Sequence, residues 1–145
     1  MKKLIVMILM LAVGVSAHAQ TGLKINSLFE GRIIPQERLV DTRVRGKTLE
    51  KYHLSYYRSL RFTVSEEERL RLRKIVDSDS RGHFADIYET NNTYTQKIQV
   101  DAQNGKNRFL CYQEQHKGKG GLCQVTVIYM EGTVSSLKQL EELLK

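Results

Sequence analysis

The pattern of apolar and polar residues predicts β-strands over most of the second half of the chain. Side chains that alternate between the two classes form runs at 84–89, 94–101, 108–115 and 122–130. A period of two is expected of strands, in which successive side chains point to opposite faces. Asn91-Asn92 and Asn104-Gly105 lie between runs, and these residues tolerate the positive φ angles of tight hairpin turns. We therefore predict a four-stranded antiparallel meander.

One or two further strands are predicted before the meander. From Leu54 to Val64 apolar residues alternate with polar ones, interrupted only by Arg58. A helix over 49–60 is a competing interpretation, because apolar and aromatic residues there also recur at helical spacing, but it leaves the apolar end of the run unexplained. The charged segment 39–45 follows the only proline, Pro35, and has the composition of a short edge strand.

Two amphipathic helices are predicted to cover this sheet. Ser65 and Glu68 have the spacing of a capping box, which opens a helix that should end before Gly82. Thr133 can cap a last helix. The apolar stripe of that helix is Val134, Leu137, Leu140 and Leu144. With a turn or two of helix before Gly31, the elements predict one α+β domain, whose antiparallel sheet has four meander strands plus one or two N-terminal strands.

The first nineteen residues have the pattern of a secretory signal peptide. A lysine pair precedes an apolar run over 4–15, and Ala17 and Ala19 form a small-x-small cleavage site. The apolar run is too short to span a bilayer, which needs about 20 residues in a helix. We predict that residues 1–19 are removed, that 20–145 form a mature domain without a transmembrane segment, and that the protein is periplasmic or secreted.

The chain is basic, with a formal net charge of +7 from 23 Lys and Arg against 16 Asp and Glu. Export excludes cytosolic nucleic acid as a routine partner, and we predict none. Envelope proteins, acidic glycans and other anionic envelope components remain accessible partners. A soluble surface that is merely basic is the alternative interpretation.

Cys111 and Cys123 are the only cysteines. Export to an oxidising compartment and an even cysteine count favour a disulfide. If the last two strands fold back symmetrically about Lys117, Cys111 lies opposite Cys123 and Phe109 lies opposite Val125. Opposed side chains in a pair without backbone hydrogen bonds lie close enough for a disulfide. We therefore predict that the cysteines are bonded, with two reduced core cysteines as the alternative.

The export signal, the run 52–60 (YHLSYYRSL) and the cysteine hairpin together resemble small secreted proteins of unknown function from gut Bacteroidetes. The resemblance covers the whole mature chain. It implies export and no particular activity, so it assigns no catalytic or binding residue.

No set of residues in the sequence has the full spacing of a catalytic or metal-binding motif. Ser135 and Lys138 match Ser-x-x-Lys but lack the companion motifs of penicillin-binding enzymes. The segment from Asp77 to Tyr88 lacks the ligands of a calcium loop at its fifth and twelfth positions. The histidines of the mature chain show no zinc-binding spacing. We therefore predict no catalytic residue, metal or cofactor.

The best candidate for ligand contact is the glycine-rich basic loop between the last two strands. Its glycines expose amide groups that would cradle an anion, and its lysines add charge, although the spacing is not that of a nucleotide-binding loop. A plain solvated hairpin loop is the alternative. The predicted anion-contact residues are Lys117, Gly118, Lys119 and Gly120, joined by Arg43, Arg45 and Lys47 if the end of the edge strand lies nearby.

Two functions from different classes fit these features. The first is a small exported binding or inhibitory domain without catalytic activity, whose target is a protein or an anionic envelope component. The second is a small hydrolase or transferase acting on envelope material, with a site assembled only in three dimensions. A deep pocket with converging titratable groups would favour the second, and a shallow surface would favour the first.

Overall fold

The computed structural model describes residues 23–117 and 121–145. The predicted signal peptide and the loop residues Gly118, Lys119 and Gly120 lie outside these ranges. The described helices are α1 (Asn26–Phe29), α2 (Glu66–Ser80) and α3 (Leu137–Leu144), and 3-10 turns cover Gln36–Arg38 and Lys47–Tyr52. The strands are β1 (Val40–Arg45), β2 (Leu54–Val64), β3 (Phe84–Glu89), β4 (Thr93–Gln103), β5 (Lys106–His116) and β6 (Cys123–Gly132). Within the described ranges, no helix is long and apolar enough to cross a membrane.

The strands form one antiparallel sheet in the order β1-β2-β6-β5-β4-β3. The strands from β3 to β6 are neighbours in chain order, as a meander requires, and β2 pairs with β6 to add the β1–β2 hairpin. The predicted α+β class is confirmed, and the sheet has six strands where the sequence predicted four plus one or two. The competing helix over 49–60 is wrong, because 54–64 is a strand whose apolar face is buried.

Different helices cover the two faces of the sheet. On one face, here called the α2 face, α1 and α2 pack against a core that includes Leu60, Tyr112 and Val127. On the other, the α3 face, α3 and the turn Lys47–Tyr52 pack against a smaller core that includes Phe109 and Met130. The middle strands are therefore apolar on both sides over part of their length, as expected of strands covered on both faces.

The helix termini are fixed by side-chain hydrogen bonds. The predicted capping box of α2 is confirmed, with the Glu68 amide donating to Ser65 Oγ at 3.3 Å and the Ser65 amide donating to Glu68 Oε1 at 3.1 Å. At the other end of α2, Asp79 accepts hydrogen bonds from the amides of Lys24 and Ile25 at 2.7 and 2.8 Å, which ties the start of α1 to α2.

The predicted cap of the last helix is wrong by three residues. Ser136, not Thr133, caps α3 by accepting a hydrogen bond from the Gln139 amide at 3.2 Å. The Thr133 amide instead donates to the carbonyl oxygen of His53 at 2.9 Å, so Thr133 belongs to the connection that follows β6.

The predicted register of the β5–β6 hairpin is wrong, and the disulfide that was predicted from it is not present in the structure. Cys111 lies opposite Ile128, and Cys123 lies opposite His116, which is five residues further along β5. A shift by an odd number of residues moves a side chain to the other face of the sheet. Five residues also separate the two positions by about 17 Å along the strand. Cys123 therefore lies on the α2 face and Cys111 on the α3 face, and both are free thiols.

Candidate functional site

Part of the α3 face is not covered by α3 and carries polar side chains. The strand registers align these residues in rows that run across the sheet. One row contains Thr63, Gln124, Gln115 and Thr93, and the next contains Arg61, Thr126, Gln113, Thr95 and Tyr88. The α3 face is therefore apolar beneath α3 and polar beyond it. The apolar and polar regions meet along the edge of α3.

A polar cavity of about 260 Å³ lies at this boundary. Its walls come from adjacent positions on three strands, because Asp86 pairs with Lys97 and Lys97 with Cys111 in one row. Tyr88, Thr95 and Gln113 form the neighbouring row and complete the lining. Tyr88 belongs to an edge strand and is 66% exposed, so its ring stands open to solvent at the margin of the cavity.

An apolar cavity of about 250 Å³ adjoins the polar one and extends between α3 and the sheet. It is lined mainly by Phe109, Ile128, Met130, Leu137, Leu140 and Leu144. Lys97 and Cys111 line both cavities. The two spaces together are here called the cleft, and their combined size falls within the range of about 300–1,000 Å³ that is typical of small-molecule sites.

An ion pair crosses the cleft where the two cavities meet. Lys97 Nζ lies 2.8 Å from Glu141 Oε1 on α3, and both side chains are partly exposed. The hydrogen bond to Glu141 is the main reason that the pKa of Lys97 is raised, and the charge of Asp86 adds to the effect. One ammonium group therefore faces two carboxylates, so these three charged residues do not form an anion-binding site.

Cys111 places a thiol at the centre of the cleft, and its chemistry is that of a protonated, weakly reactive group. Burial raises the pKa of the Cys111 thiol, and the nearby charge of Lys97 offsets this only in part. A catalytic cysteine needs a lowered pKa or an adjacent base. Among the described residues that line the cleft, none is a histidine. The raised pKa of the Cys111 thiol therefore does not favour an activated nucleophile at this position.

The structure does not bring the predicted anion-contact residues together. Lys117 is exposed at the end of β5, beside the undescribed loop residues. Arg45 pairs with Tyr56 at the start of β2, whereas the hairpin loop lies beside Val64 at its other end. Eight residues of strand separate these ends by about 27 Å. Arg43, Arg45 and Lys47 therefore do not join the loop, and contact of an anion with Lys117 and Lys119 stays a prediction.

On the α2 face, Glu114, His116 and Cys123 place one ligand-type atom each within 4.8 Å of the others. Glu114 is fully buried, and Arg73 donates to its two oxygens at 2.9 and 2.5 Å. Arg69 donates to the same carboxylate at 3.2 Å and the Tyr112 hydroxyl at 2.5 Å. Two guanidinium groups already balance the charge of this carboxylate, so the cluster is better explained as a structural network than as a metal site.

Comparison with known proteins identifies the family of this chain. A model described as a family of unknown function, DUF6108, matches residues 12–144. The chain belongs to this family. No curated protein matches the sequence. Among solved structures, the thermo- and acido-stable ORF-99 from the archaeal virus AFV1 is similar over 77% of this chain and 88% of its own, with 13% identity and a TM-score of 0.34.

Sequence reasoning assigned no ligand-binding role to the polar residues of the cleft. Asp86, Lys97 and Gln113 lie on three different strands, and Glu141 lies on α3. Their proximity depends on strand register, which the sequence left open. One signal was available in Tyr88, because aromatic side chains are enriched in contact surfaces.

Proposed function

We propose that this DUF6108 protein is a small exported binding domain without catalytic activity, and that its ligand is a neutral amphiphilic molecule held in the cleft. The observation that carries the proposal is the junction of a polar and an apolar cavity that share Lys97 and Cys111. Such a junction fits a molecule with an apolar chain at one end and a hydroxyl-rich head at the other.

The apolar cavity is suited to a short hydrocarbon chain. Its lining side chains come from four strands and from α3, and Leu137 and Leu140 are already buried there. Removing a hydrocarbon chain from water contributes about 0.8 kcal/mol for each buried CH₂ group. A chain of several carbons would therefore supply most of the binding free energy, and the polar cavity would fix its orientation.

The polar cavity favours a neutral head over an anionic one. Asp86 and Glu141 accept hydrogen bonds, Lys97 donates, and Gln113, Thr95 and the Tyr88 hydroxyl do both. A carboxylate or phosphate head would meet repulsion from the two acids. This differs from the sequence-based expectation of an anionic ligand, which rested on the lysines and the exposed amide groups of the hairpin loop between β5 and β6.

The absence of catalysis is part of the proposal. The Cys111 thiol is protonated at neutral pH because burial raises its pKa. The Lys97 ammonium is held charged by Glu141, so it is not a base either. A hydrolase or transferase acting on envelope material is the second candidate, but none of the cleft geometry favours it.

Export rests on the sequence pattern of residues 1–19 and on the resemblance to secreted proteins. Expression with the native N-terminus, followed by N-terminal sequencing of the mature protein, tests this part. We expect the mature chain to begin at Gln20 and to be recovered outside the cytoplasm. A full-length protein recovered from the cytoplasm would contradict export and leave the binding proposal intact.

Two probes with the same alkyl chain and different heads test the ligand class. Octyl glucoside carries a neutral head and octanoate an anionic one, and each is titrated below its micelle concentration by calorimetry and by amide chemical shifts. We expect octyl glucoside to bind more tightly than octanoate, with shifts centred on β4, β5 and α3. Equal binding of the glucoside and octanoate would contradict the assignment of the head.

A matched pair of variants at one position tests the location. Cys111→Phe fills the junction of the two cavities, whereas Cys111→Ala leaves it open. We expect Cys111→Phe to abolish octyl glucoside binding and Cys111→Ala to retain it, with circular dichroism showing that both are folded. Full binding by a folded Cys111→Phe variant would contradict the cleft as the site.

A further inference from the structure

The two edges of the sheet differ in how they are protected. β1 carries a charged residue at every second position, Asp41, Arg43 and Arg45. Charged side chains on an edge strand commonly prevent edge-to-edge pairing. β3 also carries two charges, Asp86 and Glu89, but it exposes three large apolar or aromatic side chains, with Phe84 67%, Ile87 55% and Tyr88 66% exposed, whereas β1 exposes Val40. An exposed apolar edge strand is a template for a further strand.

The β3–β4 hairpin shows which backbone groups of β3 face the free edge. The Thr90 amide donates to the Thr93 carbonyl at 2.9 Å, and the Thr93 amide donates to Thr90 Oγ1 at 3.1 Å, so Thr90 and Thr93 form a hydrogen-bonded pair across the hairpin. Hydrogen-bonded and non-hydrogen-bonded pairs alternate along antiparallel strands, and β3 and β4 keep one register throughout. Ala85, Ile87 and Glu89 therefore direct their N–H and C=O groups away from β4, towards the free edge.

We propose that β3 pairs antiparallel with β3 of a second copy of this chain, with Ile87 opposite the same residue of that copy. This register places Ala85 opposite Glu89 on each side of the axis. Every outward-facing residue of β3 then belongs to a hydrogen-bonded pair, and each such pair exchanges two bonds. The contact is the same surface on both copies, as a closed two-fold dimer requires.

Charge and strand length select this register over its two neighbours. Shifting the pairing by two residues is the smallest shift that keeps side chains on their own faces. In one direction it would place Ala85 opposite Asn91, beyond the end of β3, and in the other it would place Asp86 opposite Asp86. Like charges directly opposite each other destabilise a sheet. In the proposed register Asp86 instead lies opposite Tyr88 of the second copy, and the Ile87 pair forms an apolar contact on the α2 face.

The dimer has a consequence for the cleft, although it does not depend on any ligand. Asp86 and Tyr88 line the polar cavity, and both belong to β3. Pairing brings Tyr88 of each copy beside Asp86 of the other, on the face that contains the cleft. Two clefts would then share a rim at the centre of one continuous sheet.

Analytical ultracentrifugation of the full mature domain tests the dimer directly. We expect a mass that rises from monomer towards dimer with concentration. Ile87→Lys should remain monomeric, whereas Val40→Lys, a matched exposed substitution on the opposite edge strand, should behave as the wild type. A wild type that is monomeric at every concentration would overturn the proposal, and so would an Ile87→Lys variant that dimerises as the wild type does.

Cross-linking tests the register and does not rely on a disruptive variant. The Cα atoms of opposed hydrogen-bonded residues lie about 5.5 Å apart, within the range that a disulfide spans. Mild oxidation of Ile87→Cys should therefore give a dimer whose linked peptides join position 87 to position 87. A link between copies through position 86 in Asp86→Cys, with none through position 87 in Ile87→Cys, would overturn the assigned register.

Discussion

Replacing Glu114 tests whether the buried charge network on the α2 face stabilises the fold. The carboxylate is fully buried and accepts hydrogen bonds from Arg69, Arg73 and Tyr112. Removing one partner of a buried ion pair costs about 3–5 kcal/mol, because the remaining charge is left without compensation. The side chains of Arg69 and Arg73 are 13% and 26% exposed, so water can reach both guanidinium groups when Glu114 is replaced.

We therefore expect Glu114→Ala to lower the free energy of unfolding by about 3 kcal/mol, at the lower end of that range. Glu114→Gln should cost about 2 kcal/mol, since it keeps the shape but loses the charge-assisted hydrogen bonds. Glu67→Gln is the matched control, because this side chain is 88% exposed and 4.0 Å from Arg71. A surface pair of this kind contributes about 0–1 kcal/mol.

Urea unfolding followed by circular dichroism measures these differences. Burial acts to raise the pKa of Glu114, but the hydrogen bonds from Arg73 and Tyr112 and the charges of the arginines hold it below its ordinary value. The Glu114 contribution should thus be complete at neutral pH and be lost as the pH falls through this lowered pKa. A Glu114→Ala variant within 1 kcal/mol of the wild type at neutral pH would refute the reasoning.

Two further predictions concern surface charges. The hydrogen bond from Arg38 lowers the pKa of Glu68 from 4.5 to about 2. Glu68→Gln keeps a capping-box acceptor but loses the charge facing Arg38, so it should cost about 1 kcal/mol at neutral pH, a difference that disappears as the pH falls to about 2. If the hairpin loop contacts anions, Lys117→Glu with Lys119→Glu should weaken heparin binding in a pull-down assay, and wild-type binding should fall as salt shortens the Debye length from about 10 Å to 3 Å. Unchanged binding would identify the loop as a solvated turn.

Periodicity predicted most of the secondary structure because the signals are local. The run Leu54–Val64 alternates over eleven residues and is a strand of that length. The Ser65–Glu68 box marks the start of α2, and Asn104 and Gly105 have φ angles of 54° and 75° in the β4–β5 turn. Each of these features is determined by residues within a few positions of one another.

The hairpin register was not predictable from the same pattern. Four consecutive residues of β5, Phe109 to Tyr112, are apolar, and the structure covers both of their faces. Alternation therefore did not distinguish the two faces, and pairing the cysteines selected an incorrect register. Glu114 would have indicated the correct register, since a carboxylate on a buried face requires cationic partners. Those partners, Arg69 and Arg73, lie 45 and 41 residues away in the sequence.

The cleft was not predictable from the sequence for a related reason. Its polar residues are brought together by the registers of β3, β4 and β5 and by the position of α3, and Lys97 and Glu141 are 44 residues apart. The predicted anion surface combined residues that the β1–β2 register holds at opposite ends of the sheet. Composition shows that the chain is basic, but the positions of its charged side chains relative to one another depend on the tertiary structure.

The most direct test of the binding proposal is the rate at which Cys111 is alkylated in the presence of octyl glucoside. Cys111 is partly exposed in the cleft, whereas Cys123 is buried on the other face and serves as an internal control. The reaction is followed by peptide mass spectrometry at mildly alkaline pH, because burial raises the pKa of the Cys111 thiol. We expect two free thiols, with Cys111 reacting first and slowing as the glucoside is added while Cys123 is unaffected. An unchanged Cys111 rate at saturating glucoside, or a disulfide between the two cysteines, would contradict the account.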